Sequence, residues 1–245
     1  MEQNNLVFGI RAVIEAVKAG KEIDKILVKK DLQGDLAQEL MAELKGTEIF
    51  VQRVPVEKIN RITRKNHQGV IAFISPVSYT RLENVVPSLY EEGKMPFLVL
   101  LDGITDVRNF GAIARTCECA GVDAIVIPER GSVSVTPDAV KTSAGALLHL
   151  PVCREHSIAE ALRYLHDSGV KIVAASEKAQ ELYTGPDYTG PVAVVMGAED
   201  VGLSAQTLRY CDTQVALPQV GRISSLNVSV AAGVMIYEVV RQRMQ

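Results

Sequence analysis

The chain has 245 residues, 47% of them hydrophobic and 22% charged, and its formal net charge of −3 argues against sequence-independent adhesion to nucleic acid. No apolar run approaches the roughly 18 residues of a membrane span, and the start of the chain lacks the basic and apolar regions of a signal peptide. Four cysteines without a CxxC pair indicate neither a disulfide framework nor a metal site, so we expect a cytoplasmic protein that binds no metal and no membrane.

The first part of the chain, residues 1–75, predicts a small α/β domain. Hydrophobic periodicity indicates helices over 10–19, 35–45 and 56–62, and strands over 25–28, 48–51 and 70–74. Residues 1–76 carry a net charge of +2, against −5 for the remainder. Near the end of this domain the sequence RITRKNHQG predicts a polar, cationic turn. The turn is either an ordinary solvated loop or a patch in which Arg64, Lys65 and His67 contact phosphates.

Residues 76–96 hold three prolines and have mixed polarity, which is typical of a linker. A larger domain is predicted over 97–245. Its predicted strands are 97–101, 124–127, a short piece near 152, 171–174, 192–195 and 214–217, and its predicted helices are 111–120, 138–148, 158–166, 205–210 and 226–241. Because strands alternate with helices, the sequence predicts an α/β fold with a parallel sheet covered on both faces.

Three stretches of small and polar residues follow buried strands of this larger domain: NFGAIART from Asn109, MGAEDVGL from Met196 and LPQVGRISSLNVSVA from Leu217. Ligands bind at the carboxyl ends of strands in open α/β sheets, so we expect the stretches to meet. The patterns GxGxxG, GxxxxGK[ST], GxSxG and HExxH are absent, which argues against dinucleotide enzymes, P-loop hydrolases, common serine hydrolases and zinc proteases. Gly197 and Gly202 either shape a turn or let a ligand approach the backbone.

Together the three stretches resemble the SpoU-type RNA ribose 2'-O-methyltransferases of the SPOUT superfamily. The similarity lies in N-x-G-A-I-x-R-T, then G-x-E-x-x-G-L, then P-x-x-G-x-x-x-S-L-N-V-S-V-A. The first domain adds FGIRAV from Phe8 and HQGV from His67. These resemble the RNA-binding domain of ribosomal protein L30e type attached to bacterial enzymes that methylate a guanosine ribose in large-subunit ribosomal RNA. Leu217 and Gln219 stand where isoleucine and methionine are commoner, and they leave the polar residues of the pattern intact.

The resemblance implies a particular fold, cofactor and assembly. The catalytic domain would form a deep trefoil knot that binds S-adenosylmethionine, with Gly197, Leu217 and Leu226 holding the cofactor. Family members are homodimers with their sites near the subunit interface. The last predicted helix is apolar nearly all round, which is typical of a buried helix, and a dimer interface is one way to bury it.

The resemblance also implies roles for single residues. Arg115 would act on the ribose hydroxyl, and two readings stay open because a guanidinium normally remains protonated. It either loses its proton, or it stays charged, anchors a phosphate and stabilises the developing alkoxide. Asn109 would cap or orient the loop bearing Arg115, and its amide could touch the ribose or a phosphate. Glu199 would hold the first stretch against the second. Ser225 and Asn227 would contact the substrate, and they can also cap the final helix.

The implied RNA contacts are Arg222 in the catalytic domain and Arg64, Lys65 and His67 in the first domain. Two other substrates stay open for the same methyl transfer, besides a guanosine of large-subunit ribosomal RNA. They are a transfer-RNA ribose and a ribosomal site whose methylation blocks an antibiotic. A non-catalytic RNA-binding or assembly factor on the same scaffold is the alternative from another class. The intact polar set argues against it, because a pure binder does not need those residues.

Overall fold

The computed structural model describes residues 5–198, 201–223 and 225–245, which form two compact units divided between Ser78 and Tyr79. The first unit contains β1 (Leu6–Phe8), α1 (Ile10–Lys18), β2 (Ile23–Lys29), α2 (Asp35–Leu44), β3 (Phe50–Val54), α3 (Val56–Ile62) and β4 (Val70–Ile74). Every helix and strand expected in this part of the chain is present. The short strand β1 is an addition that the sequence pattern did not predict.

The sheet of the first unit has helices on both faces. Its strand order is β1-β4-β2-β3, with β2 and β3 parallel and the other pairs antiparallel. Successive side chains of a strand point to opposite faces. Ile26 and Val28 therefore pack with α1 and α2, whereas Leu27 packs with Ile59 of α3.

The second unit is larger. Its helices are α4 (Leu82–Glu91), α5 (Val107–Cys119), α6 (Pro137–Thr142), α7 (Ile158–Asp167), α8 (Ala205–Leu208) and α9 (Val228–Arg243), with a 3₁₀ turn at Ala146–Leu148. Its strands are β5 (Phe97–Asp102), β6 (Ala124–Pro128), β7 (Val152–Glu155), β8 (Lys171–Ala175), β9 (Glu181–Leu182), β10 (Val192–Gly197) and β11 (Thr213–Ala216).

The strands of the second unit form one sheet in the order β7-β6-β5-β10-β8-β11-β9, and each pairing is parallel. The predicted α/β fold with a parallel sheet is confirmed. Residues Phe97 to Leu101 of β5 are all buried, as expected for a central parallel strand covered by helices on both faces. In the part of the chain that the structure describes, no helix is both long and apolar enough to cross a bilayer.

The segment predicted as a linker, residues 76–96, has more structure than its composition indicated. Thr80 pairs with β7, and α4 buries Leu82, Val86 and Leu89 within the second unit. These apolar residues recur at helical spacing, and that periodicity outweighs Pro87, which lies inside the helix. The prolines and mixed polarity predicted a linker, but the segment contains a packed helix.

The helix predicted over 138–148 is interrupted. Helix α6 ends at Thr142, and the backbone turns at Ala144 and Gly145, whose φ angles are 52° and 89°. A left-handed residue pair cannot continue a right-handed helix, and glycine is the residue that adopts this conformation most easily. The chain then resumes as the 3₁₀ turn before β7.

Candidate active site

Four neighbouring parallel strands of the second unit end at one edge of the sheet. They are β5, β10, β8 and β11, in that spatial order. Strand β5 ends at Asp102 and β10 at Gly197, and these two residues are register partners. The three polar stretches follow β5, β10 and β11, so they emerge at the same carboxyl edge. The structure brings them together there, as the sequence predicted.

The first stretch lies in a helix that begins earlier than predicted. Asp106 caps α5 by accepting hydrogen bonds from the backbone N–H groups of Arg108 and Asn109, at 2.8 and 2.9 Å. Asn109 therefore stands in the first helical turn, and the cap is Asp106 rather than Asn109. Arg115 lies on the same helix, about two turns after its start, and is exposed. A rigid helix thus fixes the spacing of these two residues.

The third stretch meets the first through a pair of amides. The Asn227 Nδ2 group donates a hydrogen bond of 3.0 Å to Oδ1 of Asn109. The Asn227 Oδ1 atom accepts from the backbone N–H of Ser229 at 3.0 Å and caps α9, which begins at Val228 rather than Leu226. Ser225 lies outside the helix, in the preceding segment. One side chain therefore caps α9 and links it to α5.

A cavity of about 230 Å³ opens beside these helix ends. Its walls include Gly197, Leu217, Ser225 and Leu226, which come from the second and third stretches. Apolar side chains cover much of its inner surface, among them Met196, Leu208, Val215 and Val228. The cavity thus contains all three residues predicted to hold a cofactor, together with one predicted to contact substrate.

Gly197 is required by close backbone packing. A Cβ atom there would stand 2.5 Å from the carbonyl carbon of Gly202 and 2.7 Å from the nitrogen of Leu203. The loop after β10 folds back on the strand end, and Gly202 donates a backbone hydrogen bond of 2.9 Å to Ala198. Only a glycine lets the loop and strand approach this closely, so a side chain would displace one wall of the cavity.

Three other predicted site residues differ in position or description. Arg115 and Arg222 are exposed, and neither belongs to the residues that line the cavity. Glu199 lies outside the described residues. Arg222 belongs to the segment between β11 and α9, so it shares the carboxyl edge with the cavity although it does not form its wall.

A third segment contributes to the cavity beside the second and third stretches, and it was not predicted from the sequence. Ser176, Glu177 and Lys178 directly follow β8 and line the cavity, and they supply both of its charged side chains among the described residues. Strand β8 lies between β10 and β11. A polar run after a buried strand was the available signal, because such a run emerges at the same edge as the other three.

The cationic turn of the first unit is internally bonded. The His67 Nδ1 atom accepts a hydrogen bond of 2.9 Å from the Gly69 N–H, and its Nε2 atom lies 2.8 Å from Oδ1 of Asn60. An amide oxygen can only accept, so Nε2 is the donor in the contact with Asn60. Lys65 places Nζ 5.2 Å from the ring centre of Phe8, and Arg64 is exposed.

Metal ligands and activated thiols are not assembled in the described residues. No group of three His, Cys, Asp or Glu side chains there could hold a metal ion. Burial raises the pKa of Cys117 and raises that of Cys153 to about 12. Both side chains are therefore neutral thiols near pH 7, which makes them poor nucleophiles and poor metal ligands.

Comparison with known proteins identifies the family. A model of the SpoU rRNA Methylase family matches residues 96–237, and a model described as RNA 2'-O ribose methyltransferase substrate binding matches residues 6–80. The chain belongs to the SpoU rRNA Methylase family. As a SpoU family member it is an RNA methyltransferase. A TrmH family relative from Staphylococcus saprophyticus is 36% identical over 97% of this chain and 96% of its own length, and one from Bacillus subtilis is 34% identical over 99% and 97%.

Solved structures of SpoU proteins have the same fold. The methyltransferase AviRb from Streptomyces viridochromogenes, in complex with its cofactor AdoMet, is 26% identical, with a TM-score of 0.62 over 98% of this chain and 90% of that one. The AdoMet-bound rRNA methyltransferase of Sinorhizobium meliloti is also 26% identical, with a TM-score of 0.62 over 97% and 87%. The A. aeolicus TrmH/SpoU tRNA modifying enzyme is 27% identical, with a TM-score of 0.56 over 66% and 84%.

Proposed function

We propose that this protein transfers a methyl group from S-adenosylmethionine to the ribose 2'-hydroxyl of a specific guanosine in large-subunit ribosomal RNA. The observation that carries the proposal is the joining of α5 to α9 through Asn109 and Asn227, next to the glycine-walled cavity. Polar groups able to contact a ribose thereby lie beside a cavity able to bind a cofactor. We propose further that the protein acts in the cytoplasm.

The cavity fits S-adenosylmethionine in its chemistry. Gly197, Leu217 and Leu226 would hold the cofactor through backbone groups and apolar contact with the adenosine, while Glu177 and Lys178 offer charges for its polar groups. A bound sulfonium supplies an already activated methyl group, so the protein does not need to activate the carbon. The fold expected around this cavity is the deep trefoil knot of the SPOUT superfamily.

The protein's own task is then to position the ribose oxygen and stabilise the charge that develops on it. Arg115 serves this purpose in our proposal, because it projects into solvent from a helix whose start is fixed by Asp106 and by the bond to Asn227. Ser225 and Arg222 would contact phosphates of the incoming strand. Glu199 would hold the first stretch against the second.

The first unit supports ribosomal RNA over transfer RNA as the substrate. The rRNA methyltransferase of S. meliloti matches 97% of this chain, whereas the tRNA modifying enzyme of A. aeolicus matches 66%. The names of the curated relatives offer both RNAs, so the assignment rests on the additional unit. We propose that this unit is of ribosomal protein L30e type, and that Arg64 and Lys65 contact phosphates while His67 shapes the turn between them and β4.

A methyl-transfer assay tests the proposal. Purified protein with labelled S-adenosylmethionine should produce a ribose-methylated guanosine in unmodified large-subunit RNA and no product in transfer RNA. Arg115→Ala should reduce transfer at least 100-fold, the lower bound typical of losing a group that acts on the transferred proton, while cofactor binding persists. Arg163→Ala, which removes an exposed arginine from α7, is the matched control and should retain full activity.

The other outcomes of the assay separate the alternatives. Label found only in transfer RNA would mean that the protein carries out the same reaction on transfer RNA. RNA binding without any transfer would favour an assembly factor. Mass mapping of ribosomal RNA from cells that lack the protein would then identify the nucleotide by its missing methyl group.

A further inference from the structure

A chain of hydrogen bonds connects α8 to the end of β5. The Thr207 hydroxyl, in a residue only 2% exposed, donates to Oδ2 of Asp102 at 2.6 Å. Ser204, the N-cap of α8, accepts from the Thr207 backbone N–H at 3.0 Å, and its hydroxyl lies 2.9 Å from Thr207 Oγ1. A hydroxyl has one proton, and that of Thr207 is committed to the carboxylate. The Ser204 hydroxyl is therefore the donor to Thr207.

The position of this chain relates it to the cavity. Asp102 and Gly197 are register partners at the ends of adjacent strands. The loop from Ala198 to Ser204 leaves Gly197, and its described members Ala198, Val201, Gly202 and Leu203 line the cavity. Leu208, the neighbour of Thr207, also lines it. The loop that forms this wall therefore begins beside Asp102 and ends at Ser204, which is bonded to Thr207, the hydrogen-bond partner of Asp102.

Two attachments hold the loop in place. At its start, Gly202 donates to the carbonyl of Ala198 and packs against Gly197. At its end, the hydrogen-bonded attachment is the bond between Thr207 and Asp102, which are 105 positions apart in the chain. A hydrogen bond from a buried hydroxyl to a carboxylate is charge-assisted and stronger than a neutral one. Leu203 and Leu208 also pack on the hydrophobic core at this end, and the bond to Asp102 adds a directional attachment of α8 to the end of β5.

We propose that Asp102 and Thr207 are positioning residues of the cofactor site, which hold residues 201–204 in the arrangement that forms part of the cavity wall. Neither residue has to touch the cofactor. The inference rests on the proposed function, because that function supplies the ligand of the cavity. It adds residues outside the three polar stretches and gives Asp102 a role beyond ending a strand.

The test uses Thr207→Val, which keeps the shape of the side chain but cannot donate, and Thr207→Ser, which restores the hydroxyl. Thr47→Val is the matched control, because among the described residues the Thr47 hydroxyl bonds only to the backbone carbonyl of Leu44 in the first unit. In cofactor-free protein, amide hydrogen exchange is measured at Gly202 in the loop and at Val192, whose N–H bonds to Pro96 at the opposite end of β10. Calorimetry measures the Kd for S-adenosylhomocysteine, and the transfer assay measures kcat and KM.

With Thr207→Val we expect the exchange rate at Gly202 to increase about tenfold and the Kd for S-adenosylhomocysteine to rise about tenfold. Both changes are of the size expected when a hydrogen bond to a charged group is lost. Exchange at Val192 and kcat at saturating cofactor should stay unchanged, and Thr207→Ser should restore the wild-type values. Asp102→Asn keeps an acceptor without the charge and should have a smaller effect than Thr207→Val.

Equal acceleration at Gly202 and Val192 would show general destabilisation and overturn the inference. An unchanged Kd in Thr207→Val, with wild type binding normally, would overturn the inference and leave the proposed function standing. Failure of wild type itself to bind S-adenosylhomocysteine would overturn the proposed function, and the inference with it.

Discussion

Variants of Asn109 and Asn227 can separate the effect of losing a helix cap from the effect of losing a contact in the site. Asn227→Ala removes the N-cap of α9 and should lower the free energy of unfolding by about 1 kcal/mol. Asn109→Ala removes no cap and should change stability by less than half of that. Both variants lose the bond that joins α5 to α9, so both should slow methyl transfer by at least about tenfold. Denaturant unfolding and the transfer assay measure the two effects. Transfer that decreases only in Asn227→Ala would mean that the amide pair is structural.

His67 shows how a residue can fit a binding pattern and act in another way. Its two ring nitrogens already bond to Gly69 and Asn60, so His67→Ala should destabilise the first unit by about 1 kcal/mol. It should leave the salt dependence of RNA binding unchanged. Arg64→Ala, in contrast, should reduce the slope of log K against log salt by about one, because one phosphate contact is lost. Binding titrations at several salt concentrations test this, and equal loss of slope in both variants would assign His67 to the RNA interface.

At the scale of elements, Arg243 is one of the side chains that hold the end of α9 in place, beside Gln242, which bonds to Pro186 and Tyr188. Arg243 donates hydrogen bonds to the carbonyls of Tyr188, Gly190, Met95 and Pro96 at 2.7 to 3.2 Å, and its guanidinium lies over the ring of Phe97. Burial lowers the pKa of Arg243, and the charge of Asp123 opposes the shift. These contacts hold α9 against the amino ends of β5 and β10.

Arg243→Ala should therefore lower the free energy of unfolding by about 2 to 3 kcal/mol, since several buried carbonyls lose their donor. Arg243→Lys should recover only part of this, because an ammonium cannot reach the same fork of acceptors. Arg163→Ala is the control, because Arg163 is an exposed residue of α7. Denaturant unfolding measures all three. Equal effects of the two alanine variants would contradict the role given to Arg243.

The elements that could be predicted from sequence are those whose own pattern decides them. Helix α3 and strand β4 have the predicted bounds, because Pro55 precedes the helix and Gly69 precedes the strand. The start of α5 was missed because Asp106 acts as a cap three residues before Asn109, within a run of polar residues that resembles a loop. The break after α6 depends on backbone angles at Ala144 and Gly145, which periodicity does not encode.

Much of the candidate site followed from one rule, that parallel strands place their carboxyl ends along one edge. That rule located the second and third stretches on one cavity. The contribution of β8 could not be assigned, because its place between β10 and β11 depends on strand order. The bond between Thr207 and Asp102 was also out of reach, since a hydroxyl and a carboxylate far apart in sequence carry no local signal of contact.

At the scale of the whole molecule, α9 has an apolar face that the single chain leaves exposed. This helix was expected to be buried nearly all round, yet in the single chain Val230 and Tyr237 are each 52% exposed and Val234 is 36% exposed. They recur at helical spacing on one face, while Met235, Ile236 and Val239 are buried. A second copy of the chain could cover an apolar face of this kind on a helix of the site, and we propose that the protein forms such a homodimer.

Tyr237→Glu tests this assembly, because it places a charge in the middle of the exposed apolar face. Desolvating an unpaired carboxylate in an interface is costly, so we expect the variant to shift from dimer towards the 26.6 kDa monomer, with its unfolding in the monomer little changed. Light scattering during size-exclusion chromatography measures the mass. Val56→Glu, on an exposed apolar residue of the first unit, is the control and should remain dimeric. A wild-type protein that is already monomeric at assay concentrations would contradict the dimer. An active wild-type monomer would also show that one chain completes the site.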